Sequence, residues 1–387
     1  MKKHIVSIAL LVCGIFLFNS AATGSESAVP DRFKRFDPNS KLKIDYTDVS
    51  SLFDAVVLKT GRSNRTKASS AQSQTGTRMK ITINRSTVNE GNRFYFEVFE
   101  NSAQNQQTLQ NIRNRLENIP AAMPLEKFSR DEQLAYWLNL YNITILDEIV
   151  KLYPERELED QLVGRKSFLS KKVLTIAGVP LSLNDIQFTI LKQNYDNDPV
   201  VIYGMFQGII GGPNIRKSAY TGKHVYGDLI DNAMEFINSN RGTDTKSERV
   251  FRVSSLYERN AVFFPDFETD LTGHLLTYLE GEQRGELRTA TKIQADIDDW
   301  TITDLYGSDR NLGGSLANSN VALGTTGVTS KMTSKASTSR YTPAVTQRLN
   351  ELNQKRIEER TGVVTVEELG QSSENAEAGN SVDKEGK

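Results

Sequence analysis

The longest apolar stretch with helical spacing after residue 22 lies at 131–154 and reads DEQLAYWLNLYNITILDEIVKLYP. Large apolar side chains recur there at steps of three and four residues, which is typical of one face of an α-helix. Further apolar residues widen this face almost to the full circumference, so we predict a central helix that is buried on nearly all sides. Ser129 and Glu132 fit a capping box at its start, and Pro154 marks its end.

Two asparagines, Asn139 and Asn142, interrupt the apolar surface of this helix. They are three residues apart and therefore lie on the same side of it. A buried amide without hydrogen-bond partners costs about 1–3 kcal/mol, so each side chain needs partners. Two interpretations are open: the amides tie neighbouring loops to the helix, or they line a polar cleft.

The rest of the pattern predicts an α+β fold, a mostly helical single domain around the buried central helix with a small mixed or antiparallel sheet. Other helices are predicted within 41–59 and at 104–119, 156–164, 183–192, 226–238, 255–260 and 270–280. Hairpins are predicted from 79–83 with 93–99, and within 172–183 around Ala177-Gly178. The apolar run at 200–206 favours an interior strand, 251–253 favours a short strand, and 292–303 closes the domain with Trp300 in the core.

Composition divides the 387 residues into four parts. Residues 1–22 have the positive start, apolar run and small-residue end of a signal peptide, and 23–40 form a polar leader linker. The folded unit is predicted at 41–306. The Gly, Ser, Thr and Asn-rich tail at 307–387 is expected to be largely disordered, which accounts for an apolar fraction of only 38%.

The single cysteine, Cys13, lies in the predicted signal peptide. Its removal would leave a mature chain without a cysteine nucleophile, a disulfide or a thiolate metal site. The net charge of −1 provides no basic field, so no nucleic-acid partner is expected. With no second long apolar run there is no integral membrane span to predict, and we expect a soluble exported protein, periplasmic or extracellular.

A glycine-rich segment, GIIGGPNIR at 208–216, follows the predicted interior strand. Glycines allow main-chain amides to approach a ligand closely, and a loop at the end of a strand is a common place for a binding site. The segment lacks the spacing of phosphate or dinucleotide loops. A tight structural turn is the alternative interpretation.

Several short motifs together resemble the domain-of-unknown-function 547 family. They are YWLNLYN at 136–142, Tyr153-Pro154, LSLNDI at 181–186, Asp198-Pro199 and GPNIR at 212–216, with VSSL at 253–256 and FPDF at 264–267. The resemblance covers about 41 to 306, and it implies a thiol site with a histidine and two cysteines. Those positions hold Ile202, Gln207 and Gly212 here, so the resemblance supports the fold and a cleft but not thiol chemistry.

Six residues are the candidates for a ligand-binding cleft: Asn139, Tyr141, Asn142, Gln207, Arg216 and His224. Gln207 is a poor nucleophile but can donate a hydrogen bond. His224 lies in a polar stretch and is otherwise a surface residue, and His274 is otherwise a packing or surface residue. The two histidines could pair with Asp266 or Asp228 at a metal, but their spacing matches no ligand motif. No metal and no cofactor is predicted.

Three functions remain open. The leading hypothesis is an exported domain that binds an unknown small molecule or partner at a degenerate thiol-type site. The second is a hydrolase or transferase that uses His224 or His274 with a carboxylate. The third is a cell-envelope interaction protein, in which the tail at 307–387 contacts an envelope protein.

Overall fold

The computed structural model describes residues 28–68, 84–100, 102–164 and 167–305. The predicted signal peptide, the hairpin arm at 79–83 and the predicted tail lie outside these residues. The helices are α1 Thr47–Val56, α2 Glu97–Glu100, α3 Ala103–Ala122, α4 Arg130–Leu152, α5 Glu159–Leu162, α6 Lys192–Asn194, α7 Val225–Ile237, α8 Ser255–Arg259, α9 Phe267–Tyr278 and α10 Gly281–Thr289. A π-helix at Asp185–Leu191 leads into α6, and 3₁₀ turns lie at Asp31–Phe33, Leu125–Lys127, Pro199–Gly204 and Ala261–Phe263.

The described part of the chain also contains small sheets of two or three strands. The strands are β1 Val57–Leu58, β2 Arg93–Phe94, β3 Leu174–Ile176, β4 Val179–Leu181, β5 Thr243–Ser247, β6 Val250–Ser254 and β7 Lys292–Ile297. The pairs β1–β2, β3–β4 and β5–β6 are antiparallel, and β7 joins β6 in parallel. The predicted fold class, α+β and mostly helical with small sheets, is confirmed.

Helix α4 is the predicted central helix, and its side chains are buried around almost the whole circumference. The Oγ atom of Ser129 accepts a hydrogen bond from the amide of Glu132, which is the serine half of a capping box. The Glu132 carboxylate accepts from the amides of Ile44 and Gly222, at 3.0 and 3.1 Å. The first turn of α4 therefore holds two loops from distant parts of the chain.

The predicted interior strand at 200–206 is wrong, because Pro199–Gly204 forms a 3₁₀ helix. The Asp198 carboxylate accepts from the amide of Val200 at 2.9 Å, and Pro199 fixes the first φ angle of the turn. A continuous apolar run shows that a segment is buried, but it does not distinguish a strand from a short buried helix. The strand predicted at 93–99 is also shorter, since only Arg93–Phe94 pairs with β1 and Glu97–Glu100 is helical.

Part of the predicted leader packs into the core. Val29 and Phe33 are 3% and 1% exposed, and the Phe33 ring meets the Trp137 ring edge-on with the centroids 5.1 Å apart. Main-chain carbonyls of this segment also accept hydrogen bonds, Phe33 from the Asn194 side chain and Arg35 from the Gln133 side chain. Residues 28–40 thus contribute to the packing around α4.

We expect Phe33→Ala to lower the free energy of unfolding by about 3–5 kcal/mol, because it leaves a cavity beside Trp137. Phe36→Ala is the matched control, since that side chain is 44% exposed and its loss is expected to change stability by less than about 0.5 kcal/mol. Urea unfolding of both variants measures the difference. Equal, small losses would show that the leader does not stabilise the domain.

Candidate functional site

Asn139 and Asn142 both bind main-chain atoms of segments that cross α4. Asn139 donates to the carbonyl of Tyr220 at 2.8 Å and accepts from the amide of the same residue at 2.9 Å. Asn142 donates to the carbonyl of Gly204 and accepts from the amide of Phe206, both at 2.9 Å. Of the two interpretations left open by the sequence, the structure shows the one in which the amides tie loops to the helix.

We call the pair of hydrogen bonds made by each asparagine a clamp. The clamp by Asn142 fixes the residues that come directly before Gln207. Gly208 follows with a φ of 77°, and a Cβ atom there would lie 2.1 Å from the Ile149 side chain. Position 208 therefore needs glycine both for its backbone conformation and for close approach to α4. The start of the glycine-rich segment is pressed against the central helix.

The same segment pairs with the chain at 299–303. The amides of Ile210 and Gly211 donate to the carbonyls of Thr301 and Asp299 at 2.8 Å, and the Thr303 amide donates to the Gly208 carbonyl at 2.8 Å. A Cβ atom on Gly211 would approach the Asp299 main chain to 2.8 Å. Here the glycine provides close backbone packing, which brings the residues around Trp300 next to Gln207.

Gln207 is 7% exposed, and its Oε1 atom accepts a hydrogen bond from Nη2 of Arg259 at 3.0 Å. The Arg259 guanidinium lies over the Trp300 ring, 4.6 Å from its centroid. Nη1 of Arg259 donates to the Ser255 hydroxyl, which donates in turn to the Asp298 carboxylate. These residues come from the glycine-rich segment, α8 and the chain after β7, and they form the Gln207–Arg259 site.

Tyr141 belongs to a chain of side-chain amides behind this site. Its hydroxyl donates to Oε1 of Gln187 at 3.4 Å, a long and weak bond, and Nε2 of Gln187 donates to Oδ1 of Asn260 at 2.6 Å. The Asn260 amide then donates to the carbonyl of Leu256 at 2.8 Å. Burial raises the pKa of Tyr141, so its hydroxyl stays protonated. The network links α4 and the π-helix to α8, which carries Arg259.

The remaining candidates form a second group around Tyr220 and α7. Arg216 forms an ion pair with Asp228 at 2.6 Å and lies 5.4 Å from the centroid of the Tyr220 ring. Burial raises the pKa of Asp228, and the charges of Arg216 and His224 oppose this shift. His224 is exposed and directly precedes α7.

The six predicted residues thus divide between two places in the fold. Tyr141, Asn142 and Gln207 are at or behind the Gln207–Arg259 site, whereas Asn139, Arg216 and His224 surround Tyr220 and Asp228. In the part of the chain that the structure describes, no group of three or more His, Cys, Asp and Glu side chains is placed to hold a metal ion.

His274 packs in a cluster of aromatic rings. Its ring is stacked on Tyr203 and lies edge-on to Phe264 and Tyr278, and its Nε2 atom is 2.9 Å from the Tyr203 hydroxyl. Tyr203 in turn donates to the hydroxyl of Tyr257 at 3.2 Å. Burial lowers the pKa of His274 to about 4, so the imidazole is neutral near pH 7.

Sequence reasoning missed Arg259, Ser255 and Gln187, and it assigned Trp300 to the core. Trp300 is only partly buried, with Arg259 over its ring. Local sequence gave no signal for Arg259, because one arginine in a short polar helix normally faces solvent. The position 52 residues earlier that it contacts, Gln207, was identified only through the resemblance.

We expect Asn139→Ala and Asn142→Ala each to lower the free energy of unfolding by about 2–4 kcal/mol, because each change leaves a buried amide and a buried carbonyl unpaired. Asn118→Ala is the control, since that exposed side chain bonds only to Asn114 within α3. Its loss is expected to cost less than about 0.5 kcal/mol. Chemical unfolding measures the three variants. Equal free energies of unfolding for all of them would contradict a structural role for the two clamps.

We expect His274 to make the domain sensitive to acid. Its pKa of about 4 in the folded state lies below the ordinary histidine pKa of 6.5, which applies to the unfolded state. Below pH 6.5 the unfolded state therefore takes up a proton that the folded state does not. The free energy of unfolding is not reduced by His274 above pH 6.5. It falls by at most about 3 kcal/mol as the pH drops towards 4. Unfolding curves between pH 7 and 4 should show a steeper loss for the wild type than for His274→Gln, and parallel curves would refute this.

Comparison with known proteins gives one match. Residues 125–237 match the model of a family described as "Protein of unknown function, DUF547", a range that holds both clamps, the glycine-rich segment and all of α7. The motifs at 253–256 and 264–267 lie outside the matched range. No curated protein and no solved structure matches the chain. The predicted resemblance to the DUF547 family is therefore confirmed over residues 125–237.

Proposed function

We propose that this chain is an exported domain that binds a small ligand at the Gln207–Arg259 site without a covalent step. The main support is the orientation of the Gln207 amide. A guanidinium only donates hydrogen bonds, so the Gln207 oxygen faces Arg259. The Nε2 atom of the same amide has no protein acceptor among the described residues. It is available to a ligand.

The rigidity of the site also supports binding. Asn142 fixes the segment before Gln207, main-chain pairing with 299–303 fixes the segment after it, and the amide network from Tyr141 fixes α8. A site whose groups are held by a second set of hydrogen bonds loses little conformational entropy when a ligand arrives. Tyr141 and Asn142 act here by positioning other residues.

The acid–base hypothesis has less support. His274 faces a tyrosine hydroxyl and neighbouring rings. A histidine that acts as a general base needs a partner that orients the imidazole and stabilises its positive charge after proton uptake. His224 is exposed, and Asp228, whose carboxylate it affects electrostatically, is paired with Arg216. Neither histidine is hydrogen-bonded to a carboxylate in the part of the chain that the structure describes.

The proposal of export depends on the sequence of residues 1–22, which lie outside the described residues. Within the described ranges, none of the helices has the length and apolar character needed to cross a membrane. N-terminal sequencing of the chain recovered from an exporting host tests the proposal. An N-terminus that still carries residues 1–22 would count against export.

We expect Gln207→Glu to weaken ligand binding while the domain stays folded. The new carboxylate still accepts from Arg259, but it replaces the Nε2 donor by an oxygen and adds a negative charge. A library of neutral and anionic metabolites, screened by ligand-observed NMR against the wild type and the variant, measures the effect. The expected loss of affinity is about tenfold or more.

Gln107→Glu is the matched control, because Gln107 is an exposed residue of α3 that bonds only to Asn111. It should bind the same compounds as the wild type. The proposal fails if no compound binds the wild type, or if the compounds that bind it also bind Gln207→Glu equally well.

A further inference from the structure

The Arg259 guanidinium has more hydrogen-bond donors than protein acceptors among the described residues. Of its five N–H groups, one donates to Ser255 and one to Gln207. The others have no protein acceptor among the described residues. The side chain is 21% exposed, so these donors can be reached from solvent.

The positive charge of Arg259 is only partly compensated. The nearest carboxylate oxygen, Oδ1 of Asp298, is 4.0 Å from Nη1 and already accepts from Ser255. By contrast, the buried Arg113 is surrounded by the carboxylates of Asp147, Glu117 and Glu148. Burial lowers the pKa of Arg259 to about 10, whereas the pKa of Arg113 is raised. Arg259 is still cationic at neutral pH and lacks a tightly bound counter-ion.

Trp300 determines how an anion can approach. It covers one face of the guanidinium, with the Arg259 Cζ atom 4.6 Å from the ring centroid. An arginine above an aromatic face keeps its N–H groups for hydrogen bonding. The N–H edge of the guanidinium matches a planar carboxylate, which accepts two parallel hydrogen bonds.

The Nε2 donor of Gln207 lies beside this edge, because the oxygen of the same amide is bonded to Nη2 of Arg259. We propose that the ligand of the Gln207–Arg259 site is a monocarboxylate, whose oxygens accept from the Arg259 guanidinium and from Nε2 of Gln207 over the Trp300 ring. This inference rests on the proposed function and specifies its ligand class.

Nearby acidic groups set the preferred charge of the ligand. Asp298 and Glu258 both act electrostatically on Arg259, and they would repel a phosphate dianion more strongly than a carboxylate monoanion. The site therefore favours one negative charge with planar geometry over two charges with tetrahedral geometry.

The two tryptophans of the chain provide a direct measurement. The indole N–H signals of the chain are recorded by two-dimensional NMR and assigned with Trp300→Phe, and the signal of the buried Trp137 reports on folding. The probes are acetate and benzoate, their neutral analogues acetamide and benzamide, and inorganic phosphate. We expect the carboxylates to shift the Trp300 signal saturably, benzoate and acetate more than their amides or phosphate.

Variants at Arg259 test the assigned residue. Arg259→Gln should raise the Kd for benzoate by about tenfold or more, and Arg259→Lys should bind with intermediate affinity, since it keeps the charge but loses the planar fork. Arg115→Gln, which removes an arginine of α3 that pairs with Asp48, should bind as the wild type does. An unchanged Trp137 signal shows that each variant is folded.

The inference is overturned if neither carboxylate shifts the Trp300 signal, if amides or phosphate shift it equally, or if Arg259→Gln binds benzoate with wild-type affinity. These results leave the proposed function intact when a neutral compound of the library still binds the wild type and not Gln207→Glu. If no such compound exists either, both the proposed function and the carboxylate inference are refuted.

Discussion

The structure depends on two side-chain amides that project from a buried helix and hold main-chain atoms of other segments. Asn139 and Asn142 each supply one donor and one acceptor to a single stretch of backbone. Loops that cross a buried helix carry polar main-chain groups into the core, where unpaired groups are costly. The two clamps satisfy these groups and thereby fix where the loops lie.

The candidate site is a consequence of that arrangement. The clamp by Asn142 fixes the main chain at Phe206 and thereby the position of Gln207, the next residue. The glycines that follow allow the backbone to lie against α4 and the chain at 299–303. Because the backbone is held on both sides, one amide and one guanidinium can keep a fixed mutual geometry. A ligand can then be recognised by hydrogen bonds and charge without a reactive side chain.

The charges of Arg113 and Arg259 are compensated differently. Arg113 is buried among three carboxylates and ties α3 to α4, a role in which the charge is neutralised inside the protein. Arg259 has an aromatic ring below it, neutral acceptors beside it and one carboxylate at 4.0 Å. An arginine that is desolvated but incompletely paired has a free-energy incentive to bind an anion, and this distinction between the two residues supports the choice of site.

The match to the DUF547 family spans residues 125–237, and the residues that complete the site come from outside it. Arg259 and Ser255 belong to α8, and Trp300 follows β7. The described fold therefore joins a family segment, which supplies the clamps and Gln207, to a later part of the chain, which supplies the cation and the aromatic surface. Their contact gives the site its charge.

The sequence by itself determined the elements whose cause is local. Helical spacing and a capping serine defined α4, the unusual asparagines required partners, and Ala177-Gly178 placed a hairpin between β3 and β4. Only the tertiary structure decided which partners the asparagines have, that 199–204 is a 3₁₀ helix, and that Arg259 lies over Trp300 beside Gln207. Spacing along a chain reports which face of an element is buried, whereas the meeting of residues 52 or more positions apart is set by how whole elements pack.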